Sequence, residues 1–147
     1  MGFVTAVKLC FARYATFRGR SIRSEFWWWT AFDVFVAYGL GGLLRKAGAD
    51  WIAAGLGWAL VLPTLAVTTR RLHDVGRSGW WQLGMFVPGL LVILSMLVFP
   101  VPVLAISGSI LLLGGVILLI YWLIDPGEPG PNAYGPPPTP PALPPSA

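Results

Sequence analysis

The chain has 147 residues, 56% of them hydrophobic and only 11% charged, with a formal net charge of +4 and a mean hydropathy of +0.71. A soluble domain carries roughly 25% charged residues, and a chain this short has no core large enough to hide so much apolar surface. The composition excludes an ordinary soluble domain. It points to one small integral membrane protein whose basic residues meet an anionic leaflet and not nucleic acid.

Residues 3 to 17 open the chain. Phe3, Val7, Cys10, Tyr14 and Phe17 recur at helical spacing, with Thr5, Lys8, Arg13 and Thr16 around the other side. This predicts a short amphipathic helix lying in the membrane interface. Lys8 and Arg13 break the continuous apolar run that a cleavable leader needs. A basic turn follows from Arg18 to Glu25, where Ser21 or Ser24 can cap the next helix and Glu25 suits its first turn.

Four apolar segments come next, at about 26–44, 51–69, 80–99 and 103–124. Each holds about 20 residues, the length that crosses a hydrocarbon layer of about 30 Å. Trp27-Trp28-Trp29, Trp80-Trp81 and Tyr121-Trp122 stand at segment ends, where aromatic side chains favour the headgroup level. Pro63 predicts a kink in the second segment. Ala37 with Gly41, and Ala53 with Gly57, are small-residue pairs that would let the first two spans approach closely. Pro100-Val101-Pro102 reads as a tight uncharged connection. The expected fold is therefore all-α: a membrane domain over residues 1–125 with four transmembrane helices in two hairpins, preceded by the interfacial helix. Ten of the fourteen prolines lie between Pro126 and Pro145. Residues 126–147 are accordingly expected to be a disordered or polyproline II tail, either a docking strip for an aromatic groove or a solvated terminus.

Eight of the ten basic residues precede the first span or lie between spans two and three; Arg45 and Lys46 alone lie between spans one and two. The positive-inside rule makes the eight-residue face cytoplasmic, with the N- and C-termini on that side. Gly19-Arg20-Ser21 running toward Trp27-Trp28 echoes Gly76-Arg77-Ser78 before Trp80-Trp81. Two readings fit: a parallel duplication of one hairpin, or two helix starts anchored in the same way.

The candidate site residues fall in the two basic loops: Arg18, Arg20, Arg23, Arg70, Arg71, His73, Asp74 and Arg77. Such residues can grip anionic headgroups at about 1 kcal/mol per cation near the surface, engage a partner, or simply fix orientation. Asp33 is the intramembrane polar candidate. Its insertion costs roughly 2.5 to 3.5 kcal/mol, so it needs a partner, with Arg70, Arg71 or a polar group near Thr68 within expected reach. It serves either as an interhelical contact or as a proton or ion relay. No catalytic constellation is expected. His73-Asp74 lacks the further histidines and carboxylates of a metal centre, no Gly-Lys-Ser/Thr loop is present for phosphate, and neither Ser21 nor Ser78 is marked as a nucleophile. Cys10 is alone, so no disulfide or cysteine–metal framework arises. No cofactor is expected.

Three blocks carry a resemblance. They are Phe17-Arg18-Gly19-Arg20 with Arg23-Ser24-Glu25-Phe26-Trp27-Trp28; Arg70-Arg71-Leu72-His73-Asp74 with Arg77-Ser78-Gly79-Trp80-Trp81; and Gly130-Pro131-Asn132-Ala133-Tyr134-Gly135. In this order they resemble the bacterial inner-membrane proteins of domain-of-unknown-function family 805, from about Phe11 to Pro138. The resemblance implies a small multi-pass protein of the bacterial inner (plasma) membrane with no established molecular activity. This chain departs from it in two ways. Residues 80 to 124 hold two apolar spans where the family usually has one, and alanine stands at 133 where the family often has a basic residue. Two functional expectations follow. One is a non-enzymatic membrane component that binds a partner protein, a second copy of itself or anionic lipid through its basic loops. The other is a small transporter or channel component using Asp33 as a titratable group.

Overall fold

The computed structural model describes residues 1–84, 86–97 and 102–138, and no strand occurs among them. The first helix, α1 (Phe3–Ala12), buries Ala6 and Cys10, with Val7 packed beside them. The expected face through Phe3, Val7, Cys10, Tyr14 and Phe17 is therefore rotated and cut short. Phe3 and Phe17 stay exposed, and Tyr14 lies beyond the helix end. The cause is the surface α1 meets, which is the aromatic side of α2 (Arg23–Val34). Phe11 packs edge-on against Trp29 and Phe32, and Phe3 against Trp28, each such pair adding about 0.5–1.5 kcal/mol beyond burial.

The helical path continues from α2 without a break through a π-helical segment, Phe35–Leu40, into α3 (Gly41–Lys46). It stops where Gly48 turns left-handed at φ +76°. There Gly48 N–H bonds the Arg45 carbonyl at 3.0 Å and Ala49 N–H bonds the Leu44 carbonyl at 2.8 Å. Helix α4 (Asp50–Asp74) packs back against α2 and α3. Pro63, inside α4, has no N–H to offer the Ala59 carbonyl one turn earlier. The Tyr14 hydroxyl donates to that oxygen instead. α4 ends as α3 does: Gly76 sits at φ +69°, its N–H meets the His73 carbonyl at 3.1 Å, and Arg77 N–H meets the Leu72 carbonyl at 2.8 Å.

Three more helices follow, α5 (Trp80–Leu83), α6 (Phe86–Leu97) and α7 (Pro102–Ile124). α6 and α7 approach closely at buried Gly108, where a methyl would stand 3.0 Å from Val92 Cγ2 and 3.3 Å from the Pro88 carbonyl. Asp50–Asp74, Trp80–Leu97 and Pro102–Ile124 are each long and apolar enough to cross a membrane, with mean hydropathies of 1.7, 1.7 and 2.7. Leu97, Ile110 and Leu113 are 79%, 65% and 63% exposed, a surface suited to hydrocarbon. The expected 100–102 connection falls, up to residue 101, outside the described residues, as do residues 139–147. Burial instead concentrates along the C-terminal half of α4, from Leu60 to Asp74, against Phe26, Trp29, Trp122 and Leu123.

Candidate functional site

The last two and a half turns of α4 are wholly buried, from Ala66 to Asp74, and they carry two adjacent arginines. Successive helical positions point about 100° apart, so Arg70 and Arg71 reach different neighbours. Arg70 turns toward α2 and the loop before it. Its Nη2 donates to Glu25 Oε1 at 2.9 Å, and its Nη1 donates to the carbonyls of Thr16 at 2.6 Å and Arg13 at 3.4 Å. Arg71 turns toward α7. It donates to the Asp74 carboxylate, to the Leu123 carbonyl at 3.1 Å and to the Asp125 carbonyl. Those carbonyls belong to the end of α7, which has no helical donors left for them, so Arg71 supplies both hydrogen bonds and the positive charge that a helix C-terminus favours.

Arg20 completes the centre from the loop. Its Nε donates to Asp74 Oδ1 at 2.9 Å, its Nη1 to the Gly130 carbonyl at 2.7 Å, and its Nη2 to the Glu128 carbonyl. Three guanidiniums at 1%, 1% and 0% exposure thus share two carboxylates at 3% and 6%. The surplus cation is accommodated by backbone carbonyls, as charge in a low-dielectric place requires. Backbone bonds bind the same segments: Ser21 N–H to the Arg70 carbonyl at 3.1 Å, and Glu128 N–H to the Asp74 carbonyl at 2.8 Å.

The segment after α7 is part of this centre. Asn132 Nδ2 donates to the His73 carbonyl at 2.9 Å, and Asn132 Oδ1 accepts the Tyr134 N–H at 2.9 Å. Tyr134 stacks on His73 with ring centroids 3.8 Å apart and planes 5° from parallel. His73 Nδ1 meets the Gly19 carbonyl at 3.1 Å; a carbonyl only accepts, so Nδ1 carries the proton. The tail expected to be disordered or polyproline II from residue 126 is instead docked on this centre between Gly127 and Gly135. Proline content argued for an open chain, but Asn132, Tyr134 and two backbone carbonyls answer polar groups that α4 and Arg20 would otherwise leave buried and unpaired.

The eight loop candidates divide accordingly. Arg20, Arg70, Arg71 and Asp74 are buried and face one another, not headgroups, and His73 is covered by Tyr134. Arg18, Arg23 and Arg77 remain exposed, with the Arg77 guanidinium 5.0 Å over the Trp122 ring. The echo between the two loops is thus limited. Gly19 and Gly76 both take positive φ, but the arginine after the first turns inward and the arginine after the second turns outward.

Asp33 is half-buried, and neither Arg70 nor Arg71 reaches it, because Glu25 and Asp74 lie nearer to each. Its partner is Thr64, one turn deeper than Thr68. The Thr64 hydroxyl approaches Asp33 Oδ2 at 3.5 Å and accepts from Trp29 Nε1 at 2.9 Å. Outside the spans, burial and then the Glu25 carboxylate push the Cys10 thiol up to about 12, with Sγ 3.9 Å from Glu25 Oε1. Among the described residues no three His, Cys, Asp or Glu side chains gather closely enough to hold a metal ion.

The three blocks singled out in the sequence therefore meet in one place: Arg20 and Glu25 from the first, Arg70, Arg71, His73 and Asp74 from the second, Asn132 and Tyr134 from the third. The sequence profile of the family described as Protein of unknown function (DUF805) matches residues 14–136, a range holding all three. The chain belongs to the DUF805 family. It is 29% identical to the Inner membrane protein YhaH of Escherichia coli K12 over 131 residues, covering 85% of this chain and 88% of the relative. It is 29% identical to the Inner membrane protein YhaI over 124 residues (83% and 85% covered), and 35% identical to the Uncharacterized protein YiiR over 140 residues (82% and 84% covered), both of the same organism. No solved structure matches it. In this DUF805 chain, Glu25, Asn132, Tyr134 and Tyr14 are the residues that sequence reasoning passed over. A signal for Glu25 was present: in a chain with six carboxylates, one beside buried aromatics calls for a cation. Asn132 and Tyr134 carried the signal of the third block, though not of contact with α4, and Tyr14 was visible only as one position of an amphipathic face.

Proposed function

We propose that this DUF805 protein is a non-enzymatic inner-membrane component that crosses the bilayer four times, has both termini on the cytoplasmic side, and holds anionic lipid headgroups there through Arg18, Arg23 and Arg77. The observation that carries the reading is the division among its arginines. Those committed internally build a rigid cytoplasmic cap, and the exposed ones border Trp27, Trp28, Trp80 and Trp81, themselves exposed. Cations beside exposed indoles match the composition of a headgroup-level belt. The four-span path draws support from where helix ends meet. α2 starts beside the Arg70–Glu25 pair at which α4 finishes, and α5 starts with Trp81 5.2 Å from Trp122 near the end of α7. On this reading each pair of helices leaves this end and returns to it as a hairpin, and the positive-inside bias assigns the end to the cytoplasm.

The test is native mass spectrometry of the protein released from nanodiscs of equal phosphatidylglycerol and phosphatidylcholine. Wild type should retain phosphatidylglycerol selectively, and the Arg18→Glu/Arg23→Glu/Arg77→Glu variant should lose that selectivity while unfolding at the same temperature. Undiminished selectivity in the folded variant would overturn the reading, and retention of a second chain in place of lipid would move it to a protein partner or homo-oligomer.

A second reading is favoured by one observation: Asp33 stands just before the π-helical segment and has a hydroxyl, not a cation, as partner. π segments often sit at functional sites, and an uncompensated carboxylate at membrane depth is suited to taking up protons. A transport component would show a pH-dependent flux in liposomes that Asp33→Asn abolishes; absence of flux in wild type would remove this alternative.

A further inference from the structure

Between α4, α5, the loop before α2 and the segment after α7 lies a cavity of about 520 Å³, within the range of about 300–1,000 Å³ typical of small-molecule sites. Phe17, Leu65, Leu83 and the stacked His73–Tyr134 pair form its walls, and Trp80, 77% exposed, stands at its edge. Among the described residues no charged side chain lines it: the neighbouring Arg20, Arg70 and Arg71 are committed to carboxylates and carbonyls, and Arg18 and Arg77 are exposed and not part of the lining. An ion entering this cavity would lose its hydration without gaining a counter-charge. The lining favours uncharged ligands.

The polar groups narrow the class further. His73 Nδ1 is held by the Gly19 carbonyl, which leaves Nε2 of the neutral ring as a bare acceptor. Ser78 Oγ accepts the Trp80 N–H at 3.4 Å, so its own hydrogen is free to donate. Gln82 spends its amide hydrogens on Thr69 Oγ1 at 2.6 Å and the Leu65 carbonyl at 3.3 Å, keeping its oxygen as an acceptor. A single hydroxyl, which both donates and accepts, satisfies such a set. Trp80 and Leu83 open a wall of the cavity at the start of an apolar helix, where a hydrocarbon chain passes into lipid.

We propose that this cavity binds a neutral, hydroxyl-bearing amphiphile drawn from the bilayer, its hydroxyl between His73 and Ser78 and its chain leaving past Trp80 and Leu83. The site is independent of the headgroup reading above, which uses other residues and the opposite ligand charge. The test uses a hexadecanol bearing a chain diazirine, photolysed with the intact protein in phosphatidylcholine nanodiscs, with the labelled peptides mapped by mass spectrometry. Labelling should saturate and fall on residues 65–83 and 134. Unlabelled hexadecanol should displace it, while palmitate and hexadecyl phosphate should compete at least about tenfold more weakly, given the penalty on a desolvated charge. Leu65→Trp, which fills the cavity, should abolish labelling, and Ser78→Ala, which keeps its volume, should weaken it several-fold. Ile117→Trp, on the exposed face of α7, should leave it unchanged. Labelling spread without saturation along α6 and α7, equal competition by the anionic probes, or indifference to both Leu65→Trp and Ser78→Ala would each overturn the proposal.

Discussion

Replacing Asp74 with asparagine removes one negative charge and almost no volume, and it strikes the centre where two chain segments join. Arg20 and Arg71, at 1% and 0% exposure, both depend on that carboxylate. Leaving a buried cation without its partner costs about 3–5 kcal/mol. The amide oxygen of asparagine still accepts one hydrogen bond, worth about 1 kcal/mol, and the carbonyls of Leu123, Asp125, Glu128 and Gly130 stay in place. A loss of about 2–4 kcal/mol remains, a large part of the roughly 5–15 kcal/mol that holds a typical domain together. The assay is a titration of detergent-solubilised protein with dodecyl sulfate, followed by tryptophan fluorescence, in which buried Trp29 reports loss of packing. Arg18→Gln, an exposed cation on the same loop as Arg20, should move the midpoint little. An Asp74→Asn midpoint indistinguishable from that of Arg18→Gln would refute the claim that this pair is structurally buried.

Three further outcomes are expected. Tyr14→Phe leaves the Ala59 carbonyl without a donor and should cost about 1–3 kcal/mol; its effect should shrink in a Pro63→Ala background, where position 63 regains an N–H, and a full effect there would contradict the pairing. Gly79→Ala drives a methyl into the Thr69 side chain and should destabilise by about 1–3 kcal/mol, whereas Gly114→Ala, with open space around it, should be neutral or slightly stabilising; parity between the two would be inconsistent with close packing of α5 on α4. Because the Cys10 thiol is pushed up to about 12, the fraction ionised at pH 9 is on the order of a thousandth. Iodoacetamide at that pH should leave the folded protein unmodified and label it fully in dodecyl sulfate; rapid alkylation of the folded form would show that Cys10 is not packed against Glu25.

Much of the architecture was legible from hydropathy. The stretches 51–69, 80–99 and 103–124 announced helices α4 to α7 within a few residues, and the 26–44 stretch became one continuous helical path whose π segment no residue pattern marks. What the sequence concealed is direction. Adjacent Arg70 and Arg71 read as a surface doublet, yet they point inward to separate partners, because α4 is covered on both sides by elements distant in the chain. For the same reason the arginine alternatives for Asp33 failed while the polar one came close: Thr64, one turn from Thr68, is its partner, and Glu25 and Asp74 take the arginines. The segment from Gly127 to Gly135 misled through composition. Prolines set its local stiffness, while its place is decided by Asn132, Tyr134 and a glycine, Gly127, so close to Asp74 that a methyl there would collide with the carboxylate.

The docking of that segment onto the buried centre is the central claim, and amide hydrogen exchange of the intact protein in nanodiscs tests it most directly. The amides of Glu128, Asn132, Tyr134 and Gly135 are all bonded, to the Asp74 carbonyl, the Gly135 carbonyl, the Asn132 side chain and the Asn132 carbonyl respectively. The expected result is slow exchange across the peptide spanning 126–135, lost together with protection around residues 73–77 when Arg20 is changed to glutamine. Exchange of the 126–135 peptide in wild type at the rate of an unstructured chain would contradict it.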